Sequence, residues 1–332
     1  GEAYIEHSAI RIDGDNAFSG YSSQGKGTSD DPYVIENMEI KSSTGRAGIY
    51  ISHTTAFFVI RNCYIHDESD RGIELNDVSN GAIRDGTIEK TGYLGVHINN
   101  CKDIIVINNT IKENRGGGLI EVYDSSGISI ERNNLVNSTK DNVLVCNPYG
   151  KGVAIINNQL IGGGISDDGV DIYICNSPIT SEGIAYLGVK TNLLIKGNYI
   201  NGHYSKGVEF NGNGVSGVIV AENIFDGDVF SEDGSSGKGY EHKDALIVRN
   251  TFKNNARILI YYGENFKIYE NNFLDNTRID DTGTNNFWYD VNKMRGNYWQ
   301  ECTIPDNNGD GIRDGTYTRY SDHEKSTVMD LY

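Results

Sequence analysis

A short signature recurs along this chain about once every 24 residues. It reads as a Val/Ile-rich run, an Asn, and then a large apolar side chain, as in VINNTI, SIERNNL, AIINNQL, LLIKGNYI and LIVRNTF. One polar position per occurrence gives Asn37, Asn62, Asp85, Asn109, Asn134, Asn158, Asn198, Asn223, Asn250, Asn272 and Asn297. The spacing is nearly constant except for one long gap between Asn158 and Asn198. A period in this range belongs to a solenoid, whose unit cannot bury its apolar face alone and must stack on its neighbours.

The unit is made of strands. Each holds short alternating runs rich in Val, Ile and Tyr, bounded by Gly, Asn and Asp. With 40 Gly and only 4 Pro, the chain turns often and seldom blocks a ladder hydrogen bond. The expected fold is all-β: a single-stranded parallel β-helix, a solenoid of about 11 coils and roughly 50 Å long. Asn at the corners adopts the left-handed conformation and stacks into an amide ladder, so these Asn specify the fold and do no chemistry. One elongated domain follows: residues 1–30 as an N-terminal cap, 31–299 as the β-helix, and 300–332 as a C-terminal cap.

A net charge of −17 excludes a nucleic-acid partner, because phosphate binding needs basic patches. It also disfavours polyanionic glycans unless a cation bridges them. No run approaches the roughly 18 apolar residues of a membrane span. No signal peptide is visible, which fits a mature secreted form or a trimmed chain. Five cysteines show no metal-binding spacing, and their odd number leaves at least one thiol unpaired. With three Met and dispersed His, a copper site is not expected. A secreted or cell-surface monomer is expected.

The tail carries the sharpest local motif, DNNGDGIRD, beginning at Asp306. Oxygen ligands from Asp306, Asn308, Asp310 and Asp314, with the carbonyl of Ile312, follow calcium-loop logic; Tyr317 stands where a full loop has Glu. A structural Ca²⁺ is the expected cofactor. The closing stretch NNFWYDVNKMRGNYWQECTIPDNNGDGIRDGTY and the opening GTSDDPYVIENMEI resemble the ends of NosD-type and related archaeal surface β-helix proteins. The sequence departs from their pattern at Glu301-Cys302 and at Thr316-Tyr317. The resemblance implies a right-handed parallel β-helix of the pectate-lyase-like class, whose members include polysaccharide lyases, glycosidases, epimerases and binding proteins.

The second strand of each unit reads Gly-Φ-x-Φ-x, so its middle residue faces outward. Aligning these strands gives the row Tyr50, Glu74, His97, Glu121, Leu144, Asp171, Glu209 and Glu241. Carboxylates on adjacent coils lie about 5 Å apart, and two coils apart about 9–10 Å, the range used by paired glycosidase carboxylates. A polysaccharide or oligosaccharide is therefore the expected partner. In a hydrolase Glu121 protonates the glycosidic oxygen and Asp171 activates water or attacks, with His97 also catalytic. Glu74, Asn99, Tyr123, Asp168, Tyr173 and Glu209 bind the substrate. The alternatives are a lyase or uronate epimerase, in which Ca²⁺ neutralises a substrate carboxylate and His97, Lys206 or Tyr173 is the base, and a non-catalytic carbohydrate-binding scaffold.

Overall fold

A computed structural model of the protein describes residues 4–41, 44–163, 170–176, 192–201, 206–212, 214–234, 242–290, 292–305, 307, 316–320 and 327–331. Within them the chain winds as a parallel β-helix with three faces. Sheet I is a ladder of twelve parallel strands running from Ile5–His7, through Tyr64–His66 and Asn134–Val136, to Tyr298–Trp299. That is slightly longer than the eleven coils expected. Sheet II contains Ala47–Thr54, Val96–Asn99, Ile120–Tyr123, Val143–Cys146, Val170–Asn176 and Lys206–Gly212. Sheet III contains Phe58–Arg61, Lys102–Ile107, Ser126–Glu131, Val153–Ile156 and Leu193–Lys196. The long strand Arg71–Arg84 serves both II and III.

Alternation puts one side chain in two into the bore. Ile40, Ile65, Ile88, Ile111, Leu135 and Leu160 form one such column, all buried. Toward the C-terminus aromatics take over the column: Phe225 stacks on Phe252 at 4.6 Å, and Phe273 on Trp299 at 4.3 Å. Rings fill this part of the bore with large apolar surfaces.

The helix begins earlier than expected. Residues 1–30 are not only a cap, because Ile5–His7 pairs with Met38–Lys41 and Ile10–Asp13 pairs with Ala47–Thr54. What covers the open end is the short 3₁₀ helix Asp15–Gly20, whose Phe18 is fully buried and stacks on Tyr33 at 4.7 Å. After Trp299 the parallel ladder stops, and Thr316–Tyr320 pairs antiparallel with Thr327–Leu331. The calcium-loop positions Asp306, Asn308, Asp310, Ile312 and Asp314 lie outside the described residues, as do Asp168 and Glu241.

The expected amide ladder proves to be two adjacent ladders. Corner residues Asn37, Asn62, Asp85, Asn108, Arg132 and Asn157 hold φ between 47° and 59°, the left-handed region. One residue later a different set points inward: Asn109, Asn133, Asn158, Asn198, Asn223, Asn250, Asn271 and Asn297, all buried. Each of the first seven sends its backbone N–H and its Nδ2 to the Oδ1 of the next. Asn134 and Asn272, counted from the sequence as ladder members, are the outward neighbours of Asn133 and Asn271.

Candidate active site

The outward row of sheet II is set by backbone register. Tyr50 pairs with Glu74, Glu74 with His97, His97 with Glu121, and Glu121 with Leu144. The next member is Tyr173, which pairs with Leu144 on one side and Glu209 on the other. Asp171 stands two residues earlier on that strand, outside the row, so it is not the partner carboxylate expected two coils from Glu121. Beyond Glu209 the row continues with Ser231, where Glu241 was expected. A flanking row of Ser52, Asn76, Asn99, Tyr123 and Cys146 runs beside it, with Asn99 Nδ2 donating to Asn76 Oδ1 at 2.8 Å. Cys146 is disulfide-bonded, and Cys175 faces it in register on the next strand.

Glycine at the head of these strands lets the coil close tightly. A Cβ on Gly95 would lie 2.5 Å from the Leu119 carbonyl oxygen and 2.6 Å from Ile111. No larger residue fits there, and this holds His97 and Glu121 in line.

The carboxylates of the row are outward yet covered. Glu74 has 0% exposure. Arg46 lies over it, its Nε 2.7 Å from both carboxylate oxygens, and Arg71 Nη1 is 3.5 Å away. The two guanidinium groups also rest on aromatic rings, Arg46 on Tyr50 at 5.3 Å and Arg71 on Tyr93 at 5.8 Å. Tyr93 is 41% exposed, which leaves an aromatic surface beside the row. Burial alone would raise the Glu74 carboxyl, but His97, Arg46 and Arg71 outweigh it and hold Glu74 down at about 2. Glu74 is therefore a fixed negative charge.

Glu121 is the opposite case. It is buried, and burial raises its carboxyl from the ordinary value, against the weaker pull of His97, the Gly118 backbone, Arg71 and Lys140. Its side chain folds back over Gly118, whose added Cβ would meet Glu121 Cγ at 3.4 Å. His97 lies between the two acids. Its Nδ1 is buried without a hydrogen-bond partner and stands 3.7 Å from Glu74 Oε1. Its ring meets Tyr123 edge-on at 5.8 Å, toward the far end of the strand. Adjacent coils lie about 4.8 Å apart, so Glu121 and His97 leave the sheet as neighbours, the carboxyl turned toward Gly118 and the ring toward Tyr123. A carboxyl raised by burial beside an imidazole can serve as general acid and base.

Glu209, further along, is buried and tied to Lys206 Nζ at 2.6 Å. Arg46 escaped the sequence reading because it lies before the strand rather than in it. Its only signal is the cation two residues ahead of the GIYIS run. Among the described residues no cluster of His, Cys, Asp and Glu is arranged to hold a metal ion.

Residues 4–160 match the family model for a right handed beta helix region. The chain is a right-handed parallel β-helix. Solved β-helix structures similar to it include the mannuronan C-5 epimerase AlgE6 A-module of Azotobacter vinelandii, at 13% identity and a TM-score of 0.50, over 83% of this chain and 75% of that one. The Dettilon tailspike protein is similar at 12% identity and a TM-score of 0.50, over 90% of this chain and 62% of that one. Pectate lyase Pel9A is similar at 12% identity and a TM-score of 0.47, over 86% and 70%. At such identities the likeness is one of fold. No curated protein matches the sequence. No helix among the described residues of this β-helix is long and apolar enough to cross a membrane.

Proposed function

We propose that this β-helix is an extracellular carbohydrate-active enzyme that cleaves glycosidic bonds across the Glu74–His97–Glu121 row. The observation that carries this reading is the pair of opposed carboxyls, Glu74 held down at about 2 and Glu121 raised by burial, with an imidazole between them. The mannuronan C-5 epimerase module of similar fold supports the substrate class.

In this reading Glu121, whose carboxyl is raised by burial, gives its proton to the glycosidic oxygen as the C–O bond breaks. His97 takes a proton from the water that attacks the anomeric carbon. Glu74, facing Nδ1, stabilises the imidazolium that forms and fixes the ring. The proton passes from His97 back to Glu121 through solvent, closing the cycle. Tyr50, Tyr93 and Tyr123 offer sugar-stacking faces, and Asn99 offers polar contacts. Glu74 thus moves from the substrate-binding role expected of it to that of orienting the base, and Asp171 drops out of the pair.

A second reading, β-elimination or epimerisation of a uronate, is favoured by Arg46 and Arg71, cations that the row itself lacks. His97 would then take the proton beside the carboxyl group, and Glu121 would serve the leaving oxygen. Digesting a panel of neutral and acidic glycans separates the two. New reducing ends without ultraviolet absorbance mark hydrolysis, whereas an unsaturated, absorbing product marks elimination. Glu121→Gln is expected to lower turnover by about 10²–10⁴-fold with the fold retained. An unimpaired Glu121→Gln enzyme overturns the assignment. A folded chain that binds glycans and turns over none of them establishes the scaffold reading instead.

A further inference from the structure

The outward faces of the three sheets differ in chemistry. Sheet I shows Glu39, Tyr64, Thr87, Thr110, Asn134 and Gln159 along one row. Sheet II shows the acidic row. Sheet III shows Val59, Ala82, Ile105, Ala154, Leu194 and Ile219 in one unbroken register, interrupted only by Ser129. Ile107 and Ile156 widen this stripe in the next outward row. None of these side chains is fully buried, and Ile219 is 40% exposed. Parallel strands that read apolar on both faces are those covered on both faces. Here one face is the bore, and the other shows these half-buried side chains, with no strand among the described residues laid over them.

We propose that sheet III is the surface through which two copies of this chain associate face to face, in place of the monomer expected from the sequence. Charge points to a second copy. The whole chain carries −17, yet on sheet III Arg61, Arg84, Lys196 and Lys267 offset Glu36, Asp103 and Glu131 and the corner acids Asp85 and Glu222, which pair with Arg84 and Lys196, so this face is close to neutral. It is the side on which two acidic molecules can meet without repulsion. The area is sufficient but not generous. Eight strands at about 4.8 Å and about 13 Å of strand length cover about 500 Å² per copy, or about 1,000 Å² in all, the lower bound for a specific interface. Such a contact is isologous, closed by a two-fold axis, and Ala154 near mid-face then lies close to its own counterpart.

Sedimentation of the full chain across the micromolar range tests this, together with Ile105→Lys, Leu194→Lys and oxidative trapping of Ala154→Cys. The wild type is expected to sediment as a dimer and both lysine variants as monomers with unchanged circular dichroism. Ala154→Cys is expected to form a disulfide-linked dimer, whereas Thr110→Cys on sheet I does not. A wild type that stays monomeric throughout overturns the proposal. So does a dimer that survives both lysine substitutions, or one that Ala154→Cys does not trap. If a lysine variant fails to fold, the trapping result decides. None of these readouts depends on catalysis.

Discussion

Asn198 shows how one side chain holds two coils. Its Oδ1 accepts from the Asn158 backbone N–H at 2.9 Å, and its Nδ2 donates to the Ile155 carbonyl at 2.9 Å. Both partners are buried, so truncation orphans them rather than exposing them to water. Asn198→Ala is expected to cost about 2–4 kcal/mol, read as a lower urea midpoint. Asn134→Ala, one residue from the ladder and on the outer face, should stay within about 0.5 kcal/mol. An equal loss at both positions would mean that the inner ladder is not what bonds the coils. At two corner positions without Asn, sulfur bonds to the backbone instead. Cys63 Sγ points to the Arg61 carbonyl at 3.4 Å, and at another corner Cys101 Sγ points to that of Asn99 at 3.2 Å. Burial pushes these thiols up to about 11 and about 12, so they stay protonated donors. The repeat was legible in the sequence because every coil obeys one period. Which of two neighbouring Asn turns inward was not, since both residues of an Asn-Asn pair suit a corner.

At the scale of the strand, the same limit decided Asp171. Strand Val170–Asn176 offers Asp171 and Tyr173 two residues apart, and a period of two puts both on one face. Alternation therefore predicts the face but not the register, and pairing with Leu144 selects Tyr173. Glu74, His97 and Glu121 were legible because each follows closely on a Gly or a tight corner, which fixes the register at the head of its strand. Arg46 was not, because a connecting segment has no period to read. Its contact has a measurable consequence. With its carboxyl held at about 2 against an ordinary 4.5, Glu74 contributes stability that is complete above about pH 4.5 and lost as pH falls toward 2. That contribution is roughly 2 kcal/mol once screening through the half-exposed Arg46 is allowed for. Arg46→Ala leaves the carboxylate covered without its main partner, so a loss of about 2–3 kcal/mol is expected at neutral pH. The acid transition should also move up toward 4.5. Urea midpoints measured across this range check both shifts, and an acid transition that does not move would show that Arg46 does not set the charge of Glu74.

At the scale of the whole molecule, the bore holds a pair of buried ionisable side chains toward its C-terminal end. There Glu232, in register with Phe210 and Ile260, points inward, and its Oε2 accepts the backbone N–H groups of Tyr261 and Tyr262 at 3.0 and 2.7 Å. His242 lies beside it with 0% exposure, neither ring nitrogen hydrogen-bonded, and Nε2 3.8 Å from Glu232 Oε1. Burial pulls this imidazole from 6.5 down to about 4. A base held below its unfolded value leaves the unfolded chain binding the extra proton, so stability is full above about pH 6.5 and falls as pH drops toward 4. In a solenoid each coil touches only its neighbours, so this loss need not spread along the rod. Mild acid should open the coils around residues 206–260 while those near Phe18 and Ile111 stay closed. Hydrogen exchange by peptide at pH values on either side of 6.5, corrected for intrinsic rates, reads this directly. His242→Phe, which keeps an aromatic ring beside Phe210, should abolish the local opening in that window. Simultaneous loss of protection from both ends would show that the rod unfolds as one unit and that His242 is not its acid-labile point.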